Sequence, residues 1–362
     1  MTQKKTGTPR KIRALYIGAK GGDTFDPSQI EQQSRAVKAA GGEVVRFGGS
    51  STGELIEALK DVDVAMSQGH KVDSAVFEHM GNHGRCKGLV SFGHGFDGID
   101  TAAAARNGVV LANTASFGTE EVSNQAMMHL LICARKFVKQ DKMVRQGVWD
   151  RKGLAPMGHV SGQTLGIIGL GDIGRAVARK AQAFRLHVIG YDPYIASWDF
   201  KEYAVEQVAT LEDLCRRSDY VTLHVYLNEE TRHMFSSKHF DHMKPTAYLI
   251  NCSRGGVVDE KALIEALQKK KIAGAGLDVF EQEPTPATNP LLKMDNVSVT
   301  NHYASYSEVA WERAQTQMGE EAVRIAMGHW PMSLINPEVK HYAPPRKAAK
   351  TWEAMKADMG LR

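Results

Sequence analysis

The run Gly169-Leu170-Gly171-Asp172-Ile173-Gly174 follows the apolar stretch Thr164 to Ile168, and Asp192 stands eighteen residues past its last glycine, at the end of a second apolar stretch. Each glycine answers a separate steric demand: Gly169 a tight turn, Gly171 the approach of backbone to a pyrophosphate, and Gly174 close packing of the following helix on its strand. That helix is legible because Ile173, Val177, Ala181 and Phe184 recur at helical spacing. Its first N–H groups have no intrahelical partner and carry partial positive charge, so they suit an anion such as a dinucleotide phosphate. Asp192 then stands beside the ribose of the nucleotide. A carboxylate at Asp192 accepts hydrogen bonds from a ribose diol and repels a ribose phosphate, which favours NAD over NADP.

A chain of 362 residues exceeds the size at which one core usually stays single, so two domains are expected. A net charge of +4 over that length, without aromatic interleaving of the basic residues, argues against nucleic acid and leaves anionic small molecules open. Cys86, Cys133, Cys215 and Cys252 form no CxxC pair, so the sequence predicts reduced thiols in a cytoplasmic protein, with neither a zinc site nor a disulfide framework. Met1 to Arg13 is polar and basic with no apolar core, which predicts a frayed tail and no secretion signal. The apolar stretch around Ala126 to Ala134 is interrupted by His129 and is too short to span a bilayer. His233, His239 and His242 lack metal-ligand spacing and are expected at exposed helix positions, so no metal is assigned.

Apolar, β-branched runs alternate with helical patterns throughout, the signature of an α/β fold built on parallel sheets. The fingerprint strand and five further runs, Leu186 to Tyr191, Tyr220 to Val225, Ala247 to Cys252, Ala273 to Val279 and Val297 to Thr300, make six strands of a doubly wound, Rossmann-type sheet. Five shorter runs precede it: Ile12 to Ile17, Glu43 to Phe47, Val62 to Met66, Gly88 to Val90 and Val109 to Ala112. They predict a smaller, flavodoxin-like α/β unit. Thr119 to Val138 reads as one long helix, with Thr119 as N-cap and Glu120 and Glu121 at the positive end of its dipole. A helical pattern that begins near Ser307 and includes Val309, Ala314, Met318 and Ala322 would return the chain to the first domain. The expected division is 1–116 with 305–362 as the substrate-binding domain, and 117–304 as the inserted NAD-binding domain. Arg346 to Met359 has an amphipathic helical pattern, which suits either a second subunit or a solvated tail.

Ligands of open α/β sheets gather beyond the carboxyl ends of the strands. Three polar residues stand there: Arg254 after the strand ending at Cys252, Glu283 after the one ending near Val279, and His302 after Thr300. Singly, each is an ordinary surface residue; on neighbouring strand ends beside a nucleotide site they form a catalytic set. A guanidinium holds a carboxylate by two parallel hydrogen bonds, an imidazole exchanges a hydroxyl proton near neutral pH, and a carboxylate beside that ring fixes its tautomer and stabilises its protonated form. Arg254, His302 and Glu283 take those parts, a combination suited to interconverting a 2-oxo acid and a 2-hydroxy acid. Asp278, inside an apolar strand, needs a partner: either the nicotinamide carboxamide or a structural donor.

These stretches, with Asn251-Cys252-Ser253-Arg254-Gly255-Gly256-Val257-Val258-Asp259, Gly276-Leu277-Asp278-Val279-Phe280, Glu283-Pro284 and His302, resemble the D-isomer-specific 2-hydroxyacid dehydrogenases over nearly the whole chain. The resemblance implies Arg254, Glu283 and His302 as the catalytic set. It implies Gly169, Gly171, Asp172, Ile173, Gly174, Asp192, Val225, Cys252 and Asp278 around NAD, and a homodimer. Gly93-His94-Gly95-Phe96-Asp97-Gly98-Ile99-Asp100 is similar to the loop whose amides grip the substrate carboxylate, with His94 and Gly95 at the matching positions. Asn301 and Tyr226 stand where the family usually has Pro, and Gly98 where it has Asn. Ser91 occupies the place of an arginine in phosphoglycerate-specific members, so a small unphosphorylated acid is implied. His302-Tyr303-Ala304-Ser305-Tyr306-Ser307 is similar to the C-terminal-binding-protein branch, whose implied alternative is an NAD(H)-sensing, dimeric corepressor-like binding protein.

Overall fold

A computed structural model describes residues 11–18, 27–69, 71–82 and 84–361, and the tail predicted at the start of the chain lies almost wholly outside the described residues. The chain divides into two compact units, Met1–Phe117 with Glu308–Arg362, and Gly118–Ser307, the second inserted in the sequence of the first.

In the first unit β1 (Arg13–Ile17), β2 (Glu43–Arg46), β3 (Val64–Ser67), β4 (Gly88–Ser91) and β5 (Val110–Asn113) form a parallel sheet of order β2-β1-β3-β4-β5, the flavodoxin-like order. Every residue of β3, β4 and β5 is buried, as apolar runs covered on both faces must be. Helices Pro27–Ala39 and Glu308–Ala326 lie together on one side, where Val37, Met318 and Ala322 pack with Tyr16, Val64 and Met66. They approach closely because Gly319 has no side chain: a Cβ there would sit 2.2 Å from the carbonyl oxygen of Gln33. The inward stripe of the second helix is Ala310, Ala314, Met318 and Ala322, all at 0% exposure, whereas Val309 is 65% exposed. Val309, part of the same helical pattern, is one position and about 100° off that i, i+4 ridge.

The C-terminal segment also departs from its pattern. Only Trp352–Asp358 is helical, capped by Thr351, and Met355 is buried in the core of the first unit itself. Residues just before it are held as an extended strap: Trp330 N–H donates to Lys347 O at 2.9 Å, Lys347 N–H to Gly328 O at 2.9 Å, and Arg324 Nε to Lys350 O at 2.7 Å. Backbone acceptors engaged by donors from elsewhere do not close helical turns, so the tail packs on its own unit as a strap and one short helix.

Arg324 also pairs with Glu321 at 3.2 Å and Glu320 at 3.3 Å. Burial raises the Glu321 carboxyl to about 7, with the Arg324 charge and the Met332 N–H pulling the other way. Removing one member of a buried pair leaves the other charge uncompensated. Arg324→Ala is therefore expected to destabilise the first unit by about 3–5 kcal/mol, read as a lower urea midpoint. An unchanged midpoint would show that the cluster is solvated and contributes little.

The second unit carries β6 (Thr164–Ile168), β7 (His187–Tyr191), β8 (Glu206–Gln207), β9 (Tyr220–Leu223), β10 (Tyr248–Asn251), β11 (Gly274–Leu277) and β12 (Val297–Val299). They form one parallel sheet of order β12-β11-β10-β9-β6-β7-β8. The strand order reverses between β6 and β9, which is the switch point of a doubly wound sheet. Six strands were expected; the seventh, β8, is two exposed polar residues at an edge, without the apolar alternation that marks a strand in sequence.

Two helices differ from expectation. Thr119–Ala134 is capped at Gly118, not Thr119, and it stops short of Val138 because Lys136 adopts a left-handed conformation (φ 50°) that redirects the chain into Phe137–Arg145. Apolar residues continue past the break, so periodicity alone does not register it. The fingerprint helix spans Asp172–Ala183 with Val177 and Ala181 buried, but Phe184 caps it from outside and is 46% exposed.

Candidate active site

The glycine-rich loop after β6 behaves as its sequence requires. Gly169 has φ +89°, and a Cβ there would meet His224 O at 2.6 Å; a Cβ at Gly174 would lie 2.1 Å from Gly169 O. Gly171 has open space around it and caps the helix without any side-chain hydrogen bond, leaving its N-terminal donors for an anion. Asp172 is exposed and Ile173 half-buried beside it. At the end of β7, Asp192 is aimed by two backbone donors, Leu170 N–H and Tyr194 N–H, each at 2.9 Å. A cavity of about 310 Å³ opens here, lined by Gly169, Gly171, Asp192, Tyr194, Val225 and Glu230 among others. A turn that admits no Cβ at Gly169 or Gly174 and a hollow ending at an oriented carboxylate suit a nucleotide. His224, on the same wall, has its ring pushed down to about 4 by burial and is therefore neutral near pH 7, with Nε2 2.9 Å from Thr222 Oγ1.

Beyond the neighbouring strand ends the three predicted residues come together. Arg254 follows β10, its backbone pinned by Asn251 Nδ2 donating to Arg254 O at 2.9 Å and its Nη1 donating to Ser253 O at 2.7 Å. Gly255 lets this loop touch the next one, since a Cβ would lie 1.9 Å from Phe280 O. Glu283 accepts the Phe280 N–H at 2.9 Å through Oε1 and lies 2.6 Å from His302 Nδ1 through Oε2. Burial raises the Glu283 carboxyl, but the hydrogen bonds from His302 and Phe280 and the charges of His302 and Arg254 outweigh it and hold the group below its ordinary value. An ionised carboxylate only accepts, so Nδ1 of His302 is the donor and Nε2 is the atom left to exchange a proton. His302 is itself left-handed, with φ 56°, a conformation costing of order 1–3 kcal/mol in a residue with a side chain.

Asp278, 1% exposed, finds its partners within the chain: Thr300 Oγ1 at 2.5 Å, Tyr303 N–H at 3.2 Å and Ala304 N–H at 3.1 Å. Of the two partners expected for it, these are the structural ones. Cys252 is buried at the end of β10, its thiol pushed far up by desolvation. His94 and Gly95 lie in the first unit, after β4. Gly93, at φ +93°, donates its N–H to Thr114 Oγ1 at 2.8 Å, Asn113 Nδ2 donates to His94 O at 2.9 Å, and the His94 ring stacks on Phe117 at 4.6 Å. Tyr303 and Tyr306 stack on each other at 4.3 Å.

The chain matches the family model described as D-isomer specific 2-hydroxyacid dehydrogenase, NAD binding domain, over residues 127–304. A glyoxylate reductase of Korarchaeum cryptofilum is 42% identical over 297 residues, covering 80% of this chain and 88% of that protein. The chain belongs to the D-isomer-specific 2-hydroxyacid dehydrogenase family. It is an oxidoreductase, and its second unit contains an NAD-binding domain. A D-3-phosphoglycerate dehydrogenase of Methanocaldococcus jannaschii is 39% identical over 82% of this chain, which spans only 56% of that longer protein. Among solved structures, the NADPH-dependent glyoxylate/hydroxypyruvate reductase of Sinorhizobium meliloti, in complex with NADP and malonate, superposes with a TM-score of 0.77 at 28% identity, covering 94% of this chain and all of that one.

Several polar groups of this dehydrogenase were not singled out by the sequence. His129, fully buried, lies 3.0 Å from Ser298 Oγ and 3.1 Å from Thr300 Oγ1; the only signal was a histidine interrupting an apolar stretch. Of the three histidines expected at exposed helix positions His242 is there, whereas His233 is exposed but not helical and His239 is helical but buried. His233 sits in a left-handed turn hydrogen-bonded to Glu281, and His239 is buried against Phe235 with Nδ1 accepting the Ser236 N–H at 3.1 Å. Both are fixed by partners that are remote in sequence or reached only once the helix is capped. Among the described residues no three or more His, Cys, Asp or Glu are grouped to hold a metal ion, and no helix is long and apolar enough to cross a membrane.

Burial lowers the His129 ring to about 4, with Asp278 pulling it up. Because an unfolded histidine titrates near 6.5, the unfolded chain binds this proton first as pH falls. The folded state therefore keeps its full stability above about 6.5 and loses on the order of 3 kcal/mol from this one group as pH drops toward 4. Urea unfolding at pH 7, 5.5 and 4.5 should show a smaller acid loss for His129→Gln than for wild type. Parallel losses would mean that the ring is already protonated in the fold.

Proposed function

We propose that the protein is an NAD-dependent reductase of a small, unphosphorylated 2-oxo acid, forming the D-2-hydroxy acid and able to run in reverse. The observation that carries this reading is the hydrogen bond between Glu283 and His302, with the charge of Arg254 felt at the same carboxylate. Bound NADH supplies the hydride. Arg254 holds the substrate carboxylate by paired N–H donors and so fixes the carbon that receives the hydride. His302, with Nδ1 committed to Glu283, gives its Nε2 proton to the carbonyl oxygen as the alkoxide develops, and takes it back in the oxidation. Glu283 orients the ring and stabilises the imidazolium.

His94 and Gly95 remain the proposed carboxylate-gripping residues of the first unit, which is the proposed substrate-binding domain. Gly169, Gly171 and Gly174 would take the pyrophosphate, with Asp172, Ile173, Val225, Cys252 and Asp278 around the rest of the cofactor. Asp192, joined on the cavity wall by the acidic Glu230, disfavours a 2′-phosphate and supports NAD over NADP. Ser91, buried at the end of β4, offers no cation to a substrate phosphate. The names of the glyoxylate reductases among the relatives support a small oxo acid. Phe137, Val144, Val148 and Trp149 form an exposed apolar series, Trp149 being 90% exposed, and support a homodimer formed through this segment. Four buried, free cysteines fit a reducing, cytoplasmic setting.

The test is consumption of NADH with a panel of 2-oxo acids. His302→Ala should lower kcat by about 10²–10⁴-fold. Arg254→Ala should cost about 1.5–3 kcal/mol in kcat/KM, the worth of a charged hydrogen bond. Both should leave NADH affinity intact, and NADPH should serve poorly. Wild-type kinetics in both variants would sink the mechanism. Light scattering that returns a monomer would remove the dimer.

A further inference from the structure

Behind the His302 turn runs a string of polar groups that the acid/base chemistry does not use. His129 projects from helix Thr119–Ala134 into the edge of the sheet, at 0% exposure, and Gly276 on β11 makes room for it: a Cβ there would lie 2.6 Å from that of His129. The direction of every proton in the string follows from the partners. As a carboxylate Asp278 only accepts, so Thr300 Oγ1, at 2.5 Å, gives it the hydroxyl proton. The lone pairs of the same oxygen are then left for donors, and they are met by Gln125 Nε2 at 2.9 Å and by His129 Nε2 at 3.1 Å. His129 must therefore carry its proton on Nε2, and its bare Nδ1 accepts from Ser298 Oγ at 3.0 Å. Burial, which keeps this ring neutral, agrees with that single tautomer.

The far end of the string grips the acid/base turn. The Asp278 carbonyl accepts the His302 N–H at 2.7 Å, and its carboxylate accepts the N–H groups of Tyr303 and Ala304 at 3.2 and 3.1 Å. His302 is held between these bonds in its left-handed conformation, φ 56°, which an unsupported histidine seldom keeps.

We propose that His129 is a positioning residue for catalysis: through the Thr300 hydroxyl it orients the Asp278 carboxylate, which holds His302 in the backbone conformation that presents its ring for proton transfer. The inference rests on His302 being the acid/base. His129 touches neither His302 nor Glu283 in this arrangement; it acts by fixing which way the Thr300 hydroxyl points. A turn released from that brace relaxes toward ordinary backbone angles and carries the imidazole away from Glu283.

The experiment compares matched substitutions in the full-length protein, with kcat, the pH profile of kcat, NADH affinity by fluorescence titration, and melting temperature as readouts. His129→Gln places a donor near the Nε2 position and keeps the Thr300 bond, whereas His129→Asn reaches only the Ser298 side. Thr300→Ser keeps the hydroxyl and Thr300→Val removes it. His129→Asn and Thr300→Val should lower kcat, measured at saturating NADH, about 10- to 100-fold and move the pH limb governed by His302. His129→Gln and Thr300→Ser should stay within about 3-fold of wild type. Folded His129→Asn and Thr300→Val proteins with wild-type kcat and pH profile at saturating NADH would overturn the proposal. If either fails to fold, Gln125→Met, which removes only one bond to the Thr300 hydroxyl, should still lower kcat about 3- to 10-fold, and wild-type kcat there overturns it equally. His302→Ala separates the two readings: full turnover in that variant defeats the acid/base assignment itself, whereas its inactivity beside unaffected brace variants defeats only the role of His129.

Discussion

A single carboxylate, Asp278, at 1% exposure in an otherwise apolar stretch, organises the chemical edge of the second unit. A buried charge is tolerated only when its lone pairs are filled, and the strand itself fills none of them with a side chain. The donors come from the chain that follows β12: the Thr300 hydroxyl and the N–H groups of Tyr303 and Ala304. Satisfying Asp278 thus shapes the turn that carries His302. The site is built around this requirement.

Close backbone approach is the second constraint. Gly174, Gly255 and Gly276 stand where a Cβ would overlap Gly169 O, Phe280 O and His129 Cβ respectively. In the first case a helix is drawn onto the glycine-rich loop before it, in the second the Arg254 loop is drawn onto the loop leading to Glu283, and in the third a helix bearing a histidine is drawn against β11. These three contacts draw together residues from three strands or the loops that follow them and from two helices, and each depends on the absence of a single carbon.

The first unit solves a similar problem with amides and an ion cluster. Asn336 accepts the Leu111 N–H and donates to Val109 O, both at 2.9 Å, stitching the returning chain to β5. Arg324 occupies the carbonyl of Lys350 as well as its two carboxylates. Its role in holding the C-terminal strap explains why so costly a buried charge is kept at this helix end.

What the amino-acid order determined by itself is the set of features that local chemistry enforces. The apolar, β-branched runs became parallel strands, the glycines of 169–174 formed a tight turn under a helix N-terminus, and Arg254, Glu283 and His302 could be named because the end of a parallel strand is a defined place in the chain. Tertiary structure alone decided the features whose cause lies far away. β8 exists only because Ile189 and Gly190 offer it a partner, and the break at Lys136 is a change of one φ angle inside a continuing apolar pattern. The strap before Trp352 looks helical until the end of helix Glu308–Ala326 claims its carbonyls. His129 reads as an interruption of an apolar helix until Ser298 and Thr300, some 170 residues on, meet its two nitrogens. Hydrogen bonds between residues distant in sequence leave no periodicity in it, so only the folded chain discloses them.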